Sequence, residues 1–123
     1  MAKVLIIEDD LFLRDLVYQK LQSSGFEAYQ AVDGEEGLKK IIEIKPDIVL
    51  LDIILPGIDG FEILRRKKEN PEIASIPVIV LSNLGQKEEI DQGLNLGAKD
   101  YLIKAHFTLD EIMMKVKNVL APQ

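Results

Sequence analysis

Four short aliphatic runs, Val4 to Ile7, Ile48 to Leu51, Val78 to Leu81 and Tyr101 to Ile103, recur along this chain of 123 residues, and a segment with helical periodicity separates each from the next. Strands that alternate with helices lie parallel, and the intervening helices then cover both faces of the sheet. A weaker strand fits Glu27 to Ala31, between the turn at Gly25 and a helix start at Asp33. The expected fold is α/β, with five parallel strands and five helices in one doubly wound sandwich.

Local signals punctuate that pattern. Asp33-Gly34-Glu35-Glu36, Asp59-Gly60-Phe61-Glu62 and Thr108-Leu109-Asp110-Glu111 have the acceptor-x-x-Glu form of a capping box, while Gly25, Pro46, Pro71 and Gly97 mark helix ends. Leu13, Leu16, Val17 and Leu21 form an apolar stripe early in the chain, and Leu109, Ile112, Met113, Val116 and Leu120 form another at its end. Both are expected to face the core. The run Arg65-Arg66-Lys67-Lys68-Glu69 reads as a solvated helix face.

The length suits one domain covering residues 1–123, with Ala121-Pro122-Gln123 closing it, and is too short for a (β/α)₈ barrel. The absence of cysteine removes disulfides, thiolate zinc sites and cysteine nucleophiles. No apolar stretch approaches the length that crosses a bilayer and the N-terminus carries no signal-peptide pattern, so no membrane association and a cytoplasmic location are expected. A formal net charge of -6 disfavours direct nucleic-acid binding, which rests on neutralising phosphates with Lys and Arg.

Chemistry concentrates where the strands end. The first run leads into Glu8-Asp9-Asp10 and the third strand into Asp52. In neighbouring parallel strands these ends open on one crevice, the usual ligand site of such sheets. Acids gathered there repel one another unless a cation holds them, and oxygen donors suit a hard ion such as Mg²⁺. The remaining strands bring Ser82-Asn83 and Lys104 to the same edge. A carboxylate nucleophile, a metal, a hydroxyl and a lysine are the parts that in-line phosphoryl transfer to an aspartate requires. Singly, these residues have plainer roles: Glu8, Asp9 and Asp10 as helix-capping acids, Ser82 as a turn residue, Lys104 as a surface charge.

Taken in order, Val4-Leu5-Ile6-Ile7-Glu8-Asp9-Asp10, Ile48-Val49-Leu50-Leu51-Asp52, Leu55-Pro56-Gly57-Ile58-Asp59-Gly60, Val80-Leu81-Ser82 and Gly97-Ala98-Lys99-Asp100-Tyr101-Leu102-Ile103-Lys104 make the chain resemble, over essentially its whole length, the receiver domain of two-component response regulators. The resemblance implies a flavodoxin-like, CheY-like sheet of order 2-1-3-4-5. It implies Asp52 as the phosphoacceptor and Glu8 and Asp9 as the acidic pair for Mg²⁺, with the Ile54 carbonyl completing the metal shell and Ser82 and Lys104 contacting phosphoryl oxygens. It also implies that Tyr101 changes rotamer when the phosphoryl group draws the Ser82 hydroxyl inward. The chemistry is then limited to Mg²⁺-dependent phosphorylation and dephosphorylation of the chain itself. The partners are a histidine kinase or histidine phosphotransfer protein and a downstream protein target, and the chain is expected to be a monomer or weak dimer.

Several positions depart from the family pattern. Ala105 follows Lys104 where proline is usual, and a trans peptide is expected there, because a cis bond without proline costs about 2.5 to 4 kcal/mol. Asn83 is larger than the residue commonly found after the hydroxyl, and Ile54 is apolar at the mouth of the site. Ile90 and Met114 stand where basic residues are common on the output face, which suits an apolar docking patch rather than a charge-laced dimer. The lone His106 is expected to be a loop residue.

Other classes fit less well. A haloacid-dehalogenase-like phosphatase needs a second aspartate where Ile54 stands, Glu8-Asp9-Asp10 would repel a flavin phosphate, and no P-loop is present. The alternative retained is a pseudo-receiver that docks a partner independently of phosphorylation.

Overall fold

The computed structural model describes residues 1–122, so Gln123 of the expected closing segment lies outside the described residues. Strands β1 (Lys3–Ile7), β2 (Glu27–Ala31), β3 (Ile48–Leu51), β4 (Val78–Ser82) and β5 (Asp100–Ile103) alternate with helices α1 (Leu11–Ser23), α2 (Gly34–Ile44), α3 (Gly60–Glu69), α4 (Lys87–Asn95) and α5 (Leu109–Leu120), and a 3₁₀ turn spans Lys104–His106. The sheet is parallel, in the order β2-β1-β3-β4-β5. The expected strands are all present.

The central strands are apolar throughout because they are buried on both faces, and alternate side chains feed two cores. Leu5, Ile7, Val49, Leu51 and Val80 point into one with Ile41, Ile63 and Leu64. Val4, Ile6, Ile48, Leu50, Ile79 and Leu81 point into the other with Val17, Leu21, Ile112, Met113 and Val116. Register then aligns the strand ends. Ile7 pairs with Leu51, so Glu8 and Asp52 leave the sheet side by side, and Ser82 pairs with Ile103, which carries Lys104 to the same edge.

Helix starts follow the capping signals. Asp33 accepts a hydrogen bond from the Glu36 amide and Asp59 accepts one from the Glu62 amide. The box is reciprocal at Thr108 and Glu111; at α3 the Glu62 carboxylate turns instead to Arg65 and Arg66. Gly25 and Gly97 follow α1 and α4 with φ of 92° and 105°, and Pro46 and Pro71 lie just beyond α2 and α3.

Burial corrects three readings. The inward face of α1 is Arg14, Val17 and Leu21, and Leu16 is turned toward solvent at 38% exposure. One hundred degrees per residue places Leu16 too far round from Val17 and Leu21 to share their stripe. Lys67 does not belong to a solvated run: its stem is buried and its Nζ donates to the Ala74 carbonyl at 2.8 Å, while Arg65, Arg66, Lys68 and Glu69 are exposed. Ile90 is half-buried against the core, leaving Met114 as the exposed apolar residue of that pair.

Candidate functional site

Asp52 follows β3 directly and is 5% exposed. Its Oδ1 accepts the amides of Ile53 at 2.7 Å and Ile54 at 3.3 Å, and its Oδ2 accepts Lys104 Nζ at 2.8 Å. The carboxylate is therefore fixed at both oxygens. The backbone that carries it is tightly backed: the Gly60 amide donates to the Ile53 carbonyl at 2.8 Å, and a Cβ on Gly60 would stand 2.6 Å from the Asp52 carbonyl oxygen.

Glu8 leaves β1 beside it and is almost fully buried. Its Oε2 accepts the Asp10 amide at 3.1 Å. Its Oε1 lies 2.6 Å from Lys104 Nζ, an ion pair whose angle falls outside hydrogen-bond geometry, so this buried oxygen has no directed hydrogen bond. Carboxylate oxygens of Glu8, Asp9 and Asp52 all lie within 4.8 Å of one another. Asp10 stays apart and caps α1 by accepting the Leu13 amide at 3.1 Å.

Charge reflects this crowding. Burial pushes the Glu8 carboxyl up to about 7, Lys104 opposes the rise, and the negative charge of Asp52 adds to it. Burial works against the Lys104 ammonium, but its hydrogen bond to Asp52 and its ion pair with Glu8 prevail and raise its pKa. Three carboxylates thus face one ammonium. Hard oxygen donors, an excess of negative charge and an undirected buried carboxylate oxygen fit a divalent cation of the Mg²⁺ type.

The hydroxyl and the aromatic are connected through the backbone of one residue, Leu84. Ser82 is buried at the end of β4, and its Oγ accepts the Leu84 amide at 3.3 Å. The Tyr101 ring is buried and its hydroxyl donates to the Leu84 carbonyl at 2.5 Å. Burial raises the pKa of that hydroxyl. The Ser82 hydroxyl is thus engaged within its own loop. Ile54 is 55% exposed beside the site, Asn83 is exposed after Ser82, and His106 is exposed at the end of the 3₁₀ turn. No cis peptide occurs among the described residues, in line with a trans Lys104–Ala105 bond.

Sequence reasoning overlooked Arg14. Its Nη1 donates to the carbonyl of Glu8 at 2.9 Å and reaches that of Asp9 at 3.5 Å. The available signal was its three-residue spacing from Val17 on the inward face.

A doubly wound sheet of order 2-1-3-4-5 with a lysine-bridged carboxylate cluster at its C-terminal edge defines a flavodoxin-like protein of the CheY kind. The response regulator receiver domain model matches residues 4–117, and the chain belongs to that family of two-component systems. It is 39% identical over 120 residues to the DNA-binding dual master transcriptional regulator RpaA of Synechocystis sp., covering 98% of this chain and 49% of the relative. It is 36% identical over 120 residues to the phosphate regulon transcriptional regulatory protein PhoB of Rhizobium meliloti, covering 98% and 52%. The chain therefore spans about half the length of these curated relatives. Among solved structures, the Francisella response regulator 1452 receiver domain superposes with a TM-score of 0.88 at 32% identity, covering 98% of this chain and 96% of that one. Chemotaxis protein CheY4 of Vibrio cholerae superposes with a TM-score of 0.90 at 29% identity, covering 98% and 99%. These relatives lend no support to the pseudo-receiver alternative. No described helix is long and apolar enough to cross a membrane.

Proposed function

We propose that this receiver takes a phosphoryl group from a histidine kinase or histidine phosphotransfer protein onto Asp52 and thereby changes its affinity for a downstream protein. The observation that carries the reading is the fixed Asp52 carboxylate, held by two amides and Lys104 within 4.8 Å of the Glu8 and Asp9 carboxylates.

In the transfer, an Asp52 carboxylate oxygen bonds to phosphorus as the bond from phosphorus to the donor imidazole nitrogen breaks, and that nitrogen keeps the electron pair. The amides of Ile53 and Ile54 hold the nucleophile in one orientation, which removes rotational freedom before reaction. Lys104 and Ser82 supply an ammonium and a hydroxyl for the phosphoryl oxygens. Glu8, Asp9, Asp52 and the Ile54 carbonyl would hold Mg²⁺, which supplies charge neutralisation for the transferring group. Hydrolysis reverses the state: water attacks phosphorus, the bond to Asp52 breaks, and inorganic phosphate leaves a restored carboxylate.

The switch follows from the Leu84 backbone. Once Ser82 turns to the phosphoryl group, the Leu84 amide loses its acceptor, and the carbonyl that holds the Tyr101 hydroxyl belongs to the same residue. A local charge change is thereby tied to a ring packed against α4. Partner choice follows from surface complementarity, and binding as a monomer or weak dimer without direct nucleic-acid contact agrees with the charge of -6.

Intact mass after incubation with acetyl phosphate and Mg²⁺ tests this. A single phosphoryl adduct is expected, absent from Asp52→Asn and from the metal-free control. A folded parent that takes up Mg²⁺ but forms no adduct would overturn the reading.

A further inference from the structure

Arg14 is a charged residue that α1 turns into the protein, 8% exposed and on the same face as Val17 and Leu21. Among the described residues no carboxylate lies within ion-pair distance of it. Its partners are instead two consecutive backbone carbonyls, Glu8 at 2.9 Å and Asp9 at 3.5 Å, the latter at the limit of hydrogen bonding. Its Nε is buried without a partner. Burying a guanidinium with incomplete hydrogen bonding is unfavourable, so a side chain placed this way has a use that core packing by a leucine would not provide.

What it grips explains the use. Between β1 and α1 the chain turns so that Glu8 goes inward and Asp9 outward, yet their carboxylates reach one ion-sized space shared with Asp52. Two consecutive residues can do this only if the backbone between them holds one conformation. The single Nη1 of Arg14 tethers the carbonyl of each, from a helix that is itself anchored by its Asp10 cap.

We infer that Arg14 is a positioning residue: by gripping the Glu8 and Asp9 carbonyls it holds their carboxylates on a common divalent cation and so sets the affinity of the site. This rests on the reading of Glu8, Asp9 and Asp52 as the cation site. Lys104 neutralises charge at the carboxylates directly, whereas Arg14 acts on the backbone behind them.

The sign of the effect separates positioning from plain electrostatics. A positive charge behind an acidic cluster repels cations, so its removal should tighten cation binding if charge alone mattered. Loss of positioning should weaken it. Mn²⁺ binding to the full chain, followed by electron paramagnetic resonance, would be compared in the parent, Arg14→Met, Arg14→Lys and the core control Val17→Ala, with circular dichroism confirming the fold. Weakening of about tenfold or more is expected for Arg14→Met, with partial recovery in Arg14→Lys and no change in Val17→Ala. Amide exchange between Glu8 and Leu13 should quicken in Arg14→Met without any metal. Unchanged or tighter Mn²⁺ binding by a folded Arg14→Met, in a parent that binds, overturns this inference alone; a parent that binds no Mn²⁺ overturns the cation site and the inference together. If Arg14→Met does not fold, Arg14→Lys decides, because its Nζ ends one bond short of the place where Nη1 meets both carbonyls: parental affinity and exchange would overturn the inference.

Discussion

Among the described residues Lys104 is the one cation paired with the Glu8 and Asp52 carboxylates, at 2.6 Å from Glu8 and 2.8 Å from Asp52. Removing a partner from a buried ion pair leaves the other charge uncompensated, which typically costs about 3 to 5 kcal/mol. Here two carboxylates lose it together. Lys104→Met should therefore lower the thermal midpoint of the metal-free protein by about 10 to 20 °C, and millimolar Mg²⁺ should restore more stability to the variant than to the parent. Calorimetric scans with and without Mg²⁺ check this, and equal Mg²⁺ responses would contradict it. At the mouth of the site, Ile54 and Asn83 are exposed side chains flanking Asp52 and Ser82, placed to hinder the hydrolytic water. Asn83→Ala and Ile54→Asn should each shorten the half-life of the phosphorylated form. Half-lives equal to the parent's would remove both residues from that role.

Individual elements carry constraints that single residues do not reveal. Helix α3 begins so close to the end of β3 that Gly60 has no room for a Cβ: backbone atoms of Asp52 and Ile53 lie at 2.6 and 2.7 Å from that position. Backbone cannot swing aside as a side chain can, so Gly60→Ala should destabilise the fold by about 1 to 3 kcal/mol and slow phosphorylation at Asp52. Urea titration and adduct formation measure the two effects. The outer face of the same helix is tuned by charge. Arg65 and then Arg66 hold the Glu62 carboxyl down to about 2, against an ordinary 4.5. Since the folded value is the lower one, this contribution to stability is present above about pH 4.5 and disappears as pH falls toward about 2. Glu62→Gln should accordingly be less stable than the parent at neutral pH and converge with it at acid pH. A stability difference independent of pH would contradict the assignment. That α3 hides a lysine among its exposed charges was not legible in the sequence: Arg65, Arg66, Lys67 and Lys68 look alike as residue types, and only the Ala74 carbonyl distinguishes Lys67. Arg14, by contrast, shares its helix face with Val17 and Leu21, a spacing that the sequence does show.

At the scale of the whole molecule, the parallel strands to within a residue and the gathering of Glu8, Asp9, Asp52 and Lys104 could be read in advance, because fully buried strands demand unbroken aliphatic runs and a doubly wound sheet opens its site at one edge, while the strand order came from the family resemblance. The links between that edge and the rest were not legible, since Leu84 joins Ser82 to Tyr101 through its amide and carbonyl, groups that nearly every residue possesses. The strands that carry Glu8 and Asp52 are the adjacent inner strands β1 and β3, whose side chains fill both cores. A cation held by both strand ends should therefore stabilise the cooperative unit, not a loop alone. Ligand linkage gives about 2.7 kcal/mol at a hundredfold excess over the dissociation constant, about 10 °C for a domain of this size. The thermal midpoint of the parent should rise by that order with Mg²⁺ and fall back on chelation, while Asp52→Asn and Glu8→Gln should respond little. A Mg²⁺ response confined to local exchange near Asp10, with no shift in the midpoint, would show that the ion holds the β1–α1 connection without bridging the two strands.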